Sequence, residues 1–225
     1  MLIRPRLTDF HGIALAQEDA DFAIPFFDED IPLYVDPFLM WRSPSQQDVA
    51  LHGALLTAFN HLGQLAANGR QDEAISALIT ASECDEVGLG SSRTRRGKRI
   101  GRTKAEEILA IFLRIPRYAT HGLAHIEELQ FFVEGISKDR ISDFACSFLK
   151  LFLIDFTRDQ CNRLGIPLEP KTVPNVWEPR SRSFINVATH LPIDPTDDSP
   201  LLFVPKRWLR FVPWISYDAD FSHLG

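Results

Sequence analysis

Residues 139–164 carry the densest apolar pattern in the chain. Ile141, Phe144, Ala145, Phe148, Leu149 and Phe152 recur at i, i+3, i+4 spacing, and Leu151, Leu153 and Ile154 extend the apolar surface nearly all round. A helix that is apolar on every side must be covered on every side. The spacing therefore predicts one long central helix ending at Gly165, with the other elements packed round it. A chain of 225 residues, 45% of them hydrophobic and 17 of them Phe, can fill such a core, which excludes a wholly disordered protein.

The segments on either side read differently. Ser43-Pro44 looks like a cap followed by proline at the first helical position, opening a helix with Val49, Leu55, Leu56, Phe59 and Leu62 on one face and stopping near Asn68-Gly69. Short helices are expected over 72–82 and from Thr103, where Thr103 and Glu106 have capping-box spacing, to Pro116. Another is expected over 119–134, before Gly135. Proline-punctuated apolar pieces before residue 42, and the runs 183–191 and 201–204, read as extended. The expected fold class is α+β in one domain, 1–225. N-terminal strands (1–42) and C-terminal strands (165–225) would share a small sheet, and the middle (43–164) would be mainly helical.

No stretch of 18 residues is continuously apolar, and the first ten residues show no apolar run after their arginines, so neither a membrane span nor a secretory signal is expected. The expected compartment is the cytoplasm. Cys84, Cys146 and Cys161 share no close metal-type spacing and read as reduced thiols, two of them in the central helix. Trp41, Trp177, Trp208 and Trp214 read as core or interface anchors.

Charge is segregated within a net of −6. Residues 9–41 hold eight acidic side chains and no Lys or Arg. Residues 93–104 hold seven basic ones and no acid: Arg93, Arg95, Arg96, Lys98, Arg99, Arg102 and Lys104. Gly88, Gly90, Gly97 and Gly101 flank or interrupt this stretch, which leads into the Thr103 helix. Backbone N–H groups, the helix dipole and the arginines together favour an anion, above all phosphate. It is not a Walker loop, because Arg99 follows Lys98 where a Ser or Thr is needed for magnesium. Spread over a loop, the charges suit a nucleic-acid backbone better than one nucleotide. The plainer reading is a solvated loop, or one that docks on an acidic segment of its own or a neighbouring chain.

A second constellation is acidic. Asp139 and Asp143 lie one helical turn apart, and Glu134 just before the bend would complete an oxygen-rich site for Mg²⁺. The alternative is dipole stabilisation by Asp139 and pairing of Asp143 with Lys138 or Arg140. His121 and His125 stand four apart with Glu127 and Glu128 following, but Gly122 occupies the place where a zinc protease carries its glutamate. Glu169-Pro170-Lys171 spells the Glu-x-Lys pattern of metal-dependent nucleases, on a segment where proline is awkward in a central strand. Arg180 and Arg182 beside Trp177 would suit a phosphate or a partner's carboxylate. No nucleophile elbow is present.

The expectation is an intracellular nucleic-acid-binding protein acting through residues 93–104. Cleavage by a Mg²⁺ held on Glu134, Asp139 and Asp143 would make it a nuclease, compatible with a prokaryotic defence or toxin role. The alternative is a non-catalytic subunit whose acidic and basic segments pair across a homo-oligomer or with a protein partner.

Overall fold

The computed structural model describes residues 6–27, 29–90 and 98–211. A single helical turn, α1 (Leu7–Phe10), precedes the short strand β1 (Leu33–Val35). Helices α2 (Pro37–Trp41), α3 (Gln46–Ala67), α4 (Gln71–Ala81), α5 (Arg102–Arg114), α6 (Pro116–His121), α7 (Leu129–Phe132), α8 (Lys138–Phe148) and α9 (Lys150–Leu164) follow. The hairpin β2 (Glu169–Glu178) and β3 (Ser183–Leu191) comes next, and β4 (Leu209–Phe211) closes the described chain. The fold is α+β, with nine helices and two antiparallel two-stranded sheets among the described residues. As expected, strands from the two ends of the chain meet: β1 pairs with β4, Leu33 opposite Phe211 and Val35 opposite Leu209.

The central helix is two helices. Leu149 leaves helical geometry at φ −101°, ψ 10°, ending α8 and starting α9. Before the break every residue from Ile141 to Phe148 is buried, whereas α9 buries a stripe at Leu153, Ile154, Thr157, Gln160 and Cys161. The bend lets the chain pass from a helix covered all round to one that faces solvent on one side. At the bend, Lys150 turns inward, 2% exposed, and its ammonium meets Glu86 Oε2 at 3.0 Å and the Pro174 carbonyl at 3.2 Å. This contact ties α9 to the irregular point of β2, where the ladder shifts between Val173 and Val176.

Helix α3 packs against α2, α4, α5 and α8. It approaches α5 closely enough that a Cβ on Gly63 would stand 2.3 Å from the Phe112 ring. Its cap is Ser45 rather than Ser43, whose hydroxyl instead donates to Asp48 at 2.7 Å. Asp48 is fully buried and receives Arg207 through two hydrogen bonds of 2.8 Å and the Trp208 indole N–H at 3.0 Å. The first turn of α3 thereby holds the short 3-10 turn (Lys206–Trp208) that feeds β4.

Two further expectations change. The helix predicted over 119–134 is broken into α6, a 3-10 turn (Ile126–Glu128) and α7. Gly122 adopts φ +71° against Asn60, whose side chain bonds both the N–H and the C=O of Leu123 at 2.8 and 3.0 Å. The run 201–204 is extended without being a regular strand. It lies beside residues 21–27, where Phe22 and Phe203 stack at 4.2 Å in a second apolar cluster with Leu7, Ile24, Phe27 and Leu201.

Candidate functional site

Gly90 and Lys98, which flank residues 91–97, a segment outside the described residues, both stand on the first turn of α8. On one side Gly90, at φ +137°, lies so close to Asp139 that a Cβ would come within 2.9 Å of its carboxylate. On the other, the Lys98 carbonyl accepts a hydrogen bond from Arg140 at 2.8 Å, and the Ile100 N–H donates to Ser82 Oγ at 3.0 Å. The described residues on either side of the segment are therefore held close to α8. Lys98 and Arg99 are exposed beside it, while Arg93, Arg95 and Arg96 lie outside the described residues.

The remaining two cations of the stretch face their own helices. Arg102 pairs with Asp72 at 2.5 Å and with Glu106 at 2.9 Å, so the expected capping box of Thr103 and Glu106 gives way to an ion pair, with Gly101 as the cap. Lys104 meets Glu107 at 2.5 Å and the Glu134 carbonyl at 2.8 Å.

Under Gly90 and Lys98 lies an acidic cluster. Arg140 reaches Asp143 at 3.1 Å, Glu83 at 3.7 Å and the Ser82 carbonyl. One guanidinium thus serves several carboxylates in a shielded place. Burial pushes Asp143 up to about 9, the neighbouring charges of Glu83, Asp139 and Asp30 add to it, and Arg140 draws it back. Burial also raises Asp139 and Glu83. Asp139 and Asp143 are neighbours here, as their spacing predicted. The third carboxylate beside them is Glu83, from the end of α4, and not Glu134, whose side chain is exposed in the turn before α8.

The carboxylates of Asp143 and Glu83 converge on the Arg140 guanidinium. Among the described residues no group of three or more His, Cys, Asp or Glu side chains is arranged to hold a metal ion.

The other constellations separate. His121 ends α6, and His125 lies beyond the Gly122 turn, against Trp41 at 4.9 Å and His52 at 5.6 Å between ring centroids. The two histidines expected on one helical face therefore share no helix. Glu169, Pro170 and Lys171 do lie on a strand, where Lys171 meets Asp198 at 2.7 Å. Pro170 is accommodated because a two-stranded hairpin leaves half its N–H positions without a ladder partner. Arg182, at the hairpin tip, lines a small cavity of about 170 Å³ with His61 and Trp177. Burial pushes all three thiols up, Cys161 to about 12, away from nucleophilic chemistry. Trp177 and Trp208 are buried, whereas Trp41 is 46% exposed.

Sequence reasoning missed Glu83, and it named Glu127 only as a neighbour of the histidine pair. For Glu83 a signal was present in the acidic run Glu83, Asp85, Glu86 just past the α4 pattern. For Glu127 none existed, because its surroundings come from β1, α2 and α8. Among the described residues no helix is long and apolar enough to cross a membrane. Over residues 12–216 the chain matches the family described as Domain of unknown function (DUF8370), and it belongs to that family. No curated protein and no solved structure matches it.

Proposed function

We propose that this member of the DUF8370 family binds a nucleic-acid backbone through the basic segment 93–99. The observation that supports the reading is the clamp at the base of that segment: Gly90 against Asp139, and the Lys98 carbonyl on Arg140. Lys98 and Arg99, exposed beside that clamp, place two of the cations of this stretch where a phosphate chain can meet them. Five basic residues lie within seven positions, Arg93, Arg95, Arg96, Lys98 and Arg99. Arg102 and Lys104 are engaged with Asp72, Glu106 and Glu107, so the reading centres on the earlier five. The acidic cluster beneath serves as the root of the loop, with Arg140 as its tie.

The test is a titration against single- and double-stranded DNA and RNA at two salt concentrations, repeated with Mg²⁺ and run on a denaturing gel. Binding should weaken steeply with salt. For the duplex probe, the triple variant Arg95→Ala, Arg96→Ala, Arg99→Ala should lower the slope of log affinity against log salt by roughly 0.9 for each phosphate that is no longer neutralised. Affinity unchanged in that variant would remove the loop from the reading. Mg²⁺-dependent cutting abolished by Asp139→Asn would show the catalytic assignment of the acidic cluster to be right and the present one wrong.

A further inference from the structure

The β2–β3 hairpin presents an open edge along β3. In an antiparallel pair every second residue of a strand turns its N–H and C=O towards its partner, and the residues between turn theirs away. Strand β3 pairs with β2 alone, and among the described residues no backbone group of 183–191 makes a backbone hydrogen bond outside that ladder. The strand is nine residues long, so about half of its backbone groups line an edge that no other strand covers. Ser183, Ile185, Asn186, Ala188 and His190 are exposed along it.

The two strands of the hairpin are built differently. Strand β2 carries the devices that keep an edge from pairing. Pro170 and Pro174 remove donors, Glu169, Lys171 and Glu178 carry charge, the ladder shifts between Val173 and Val176, and Lys150 occupies the Pro174 carbonyl at 3.2 Å. Strand β3 has none of them. It holds no Pro, Gly, Lys, Arg, Asp or Glu, and Ile185, Val187 and Thr189 place β-branched side chains on alternate residues. An edge of this length without a blocking device is a template for one more extended strand.

We infer that two copies of this chain associate through β3, edge to edge and antiparallel, in a continuous four-stranded sheet of order β2–β3–β3–β2. The strand is complementary to its own image. A two-fold axis at Val187 sets Val187 against Val187 of the second copy, Ile185 against Thr189, Asn186 against Ala188 and Phe184 against His190. Without Lys, Arg, Asp or Glu in the strand, the pairing opposes no two such charges, and β-branched side chains meet across it. The contact is isologous and closes at two chains. It does not rest on nucleic-acid binding, and it uses neither the acidic nor the basic segment. One strand pair is a small interface, so the association depends on concentration.

Sedimentation equilibrium from micromolar concentrations to about 1 mM tests it, together with amide exchange over the same range. The mass should rise from that of one chain towards that of two, and exchange at alternate residues of β3 should slow as concentration rises. Asn186→Lys combined with Ala188→Lys changes two exposed positions and sets lysine against lysine at two places across the axis. It should weaken association about tenfold, and Asn186→Glu combined with Ala188→Glu should do the same. Mixing the two double variants in equal amounts should restore association, because Lys then faces Glu at both places, a recovery that misfolded chains would not show. A mass of one chain throughout the range would overturn the inference. So would association unchanged in the lysine variant, a mixture that stays dissociated, or exchange in β3 independent of concentration.

Discussion

Two buried aspartates with opposite environments set the chemistry at the scale of the residue. Burial alone would raise Asp48, but the hydrogen bonds from Arg207, Ser43 and Trp208, with the charge of Arg207, outweigh it and hold its carboxyl below the ordinary value of 3.8. Asp48 therefore contributes stability that is present above pH 4 or so and is lost as pH falls through the lowered value. Asp143 has a folded value raised to about 9 from 3.8. Its neutral form suits the fold, so its contribution is full below the ordinary value and is lost as pH rises towards the raised one. Asp48→Asn should then cost on the order of 3 kcal/mol at pH 7, by leaving Arg207 without its buried partner. Asp143→Asn should be near neutral or stabilising there and should flatten the decline in stability between pH 5 and pH 8. Urea unfolding at those two pH values checks both, and equal losses in the two variants would refute the contrast. Position in sequence could not separate these residues, because each lies in the first half of a helix and only distant partners distinguish them.

At the scale of the element, the helices α4 and α5 and the strand β3 were legible because the signals that make them are local. Apolar period, a glycine or proline at the boundary and β-branched alternation are written within a few residues of each other. The break between α8 and α9 was not, since nothing near Leu149 disfavours helix. The bend coincides with the place where Lys150 is drawn in by Glu86, a residue 64 positions earlier. Strand β2 was hidden by Pro170 and Pro174, which are tolerable only because the sheet has two strands and a bulge. Lys150→Met should lower stability by about 3–5 kcal/mol, because it removes the buried ammonium that balances the charge of Glu86. It should also speed amide exchange around Val173 and Val176. Adding Glu86→Leu should recover much of the loss. If single and double variants unfold alike, the ion pair is not what fixes the bend to the hairpin.

At the scale of the molecule, the ends of the described chain close on each other. Strand β1 needs β4, Asp48 needs Arg207 and Trp208, and the Phe22 ring needs Phe203. A chain lacking residues 201–225 should therefore lose cooperative thermal unfolding, followed by circular dichroism at 222 nm, because folded domains hold only about 5–15 kcal/mol in reserve. A sharp transition retained in the truncated chain would show that the end-to-end pairing is dispensable. The first turn of α8 meets several distant parts of the chain, with Lys138 above the Tyr34 ring, Asp139 against Gly90 and Arg140 on the Lys98 carbonyl. By itself the sequence determined the α+β class, the meeting of strands from both ends, the buried middle and the segregation of charge, since hydrophobic period and composition act locally and sum along the chain. Only the tertiary structure decided which carboxylate stands beside Asp143, where the central helix bends and that Glu127 is shielded without a donor. Those outcomes depend on burial and on partners tens of residues away, and the free energy of a charge is set by what surrounds it rather than by its neighbours in sequence.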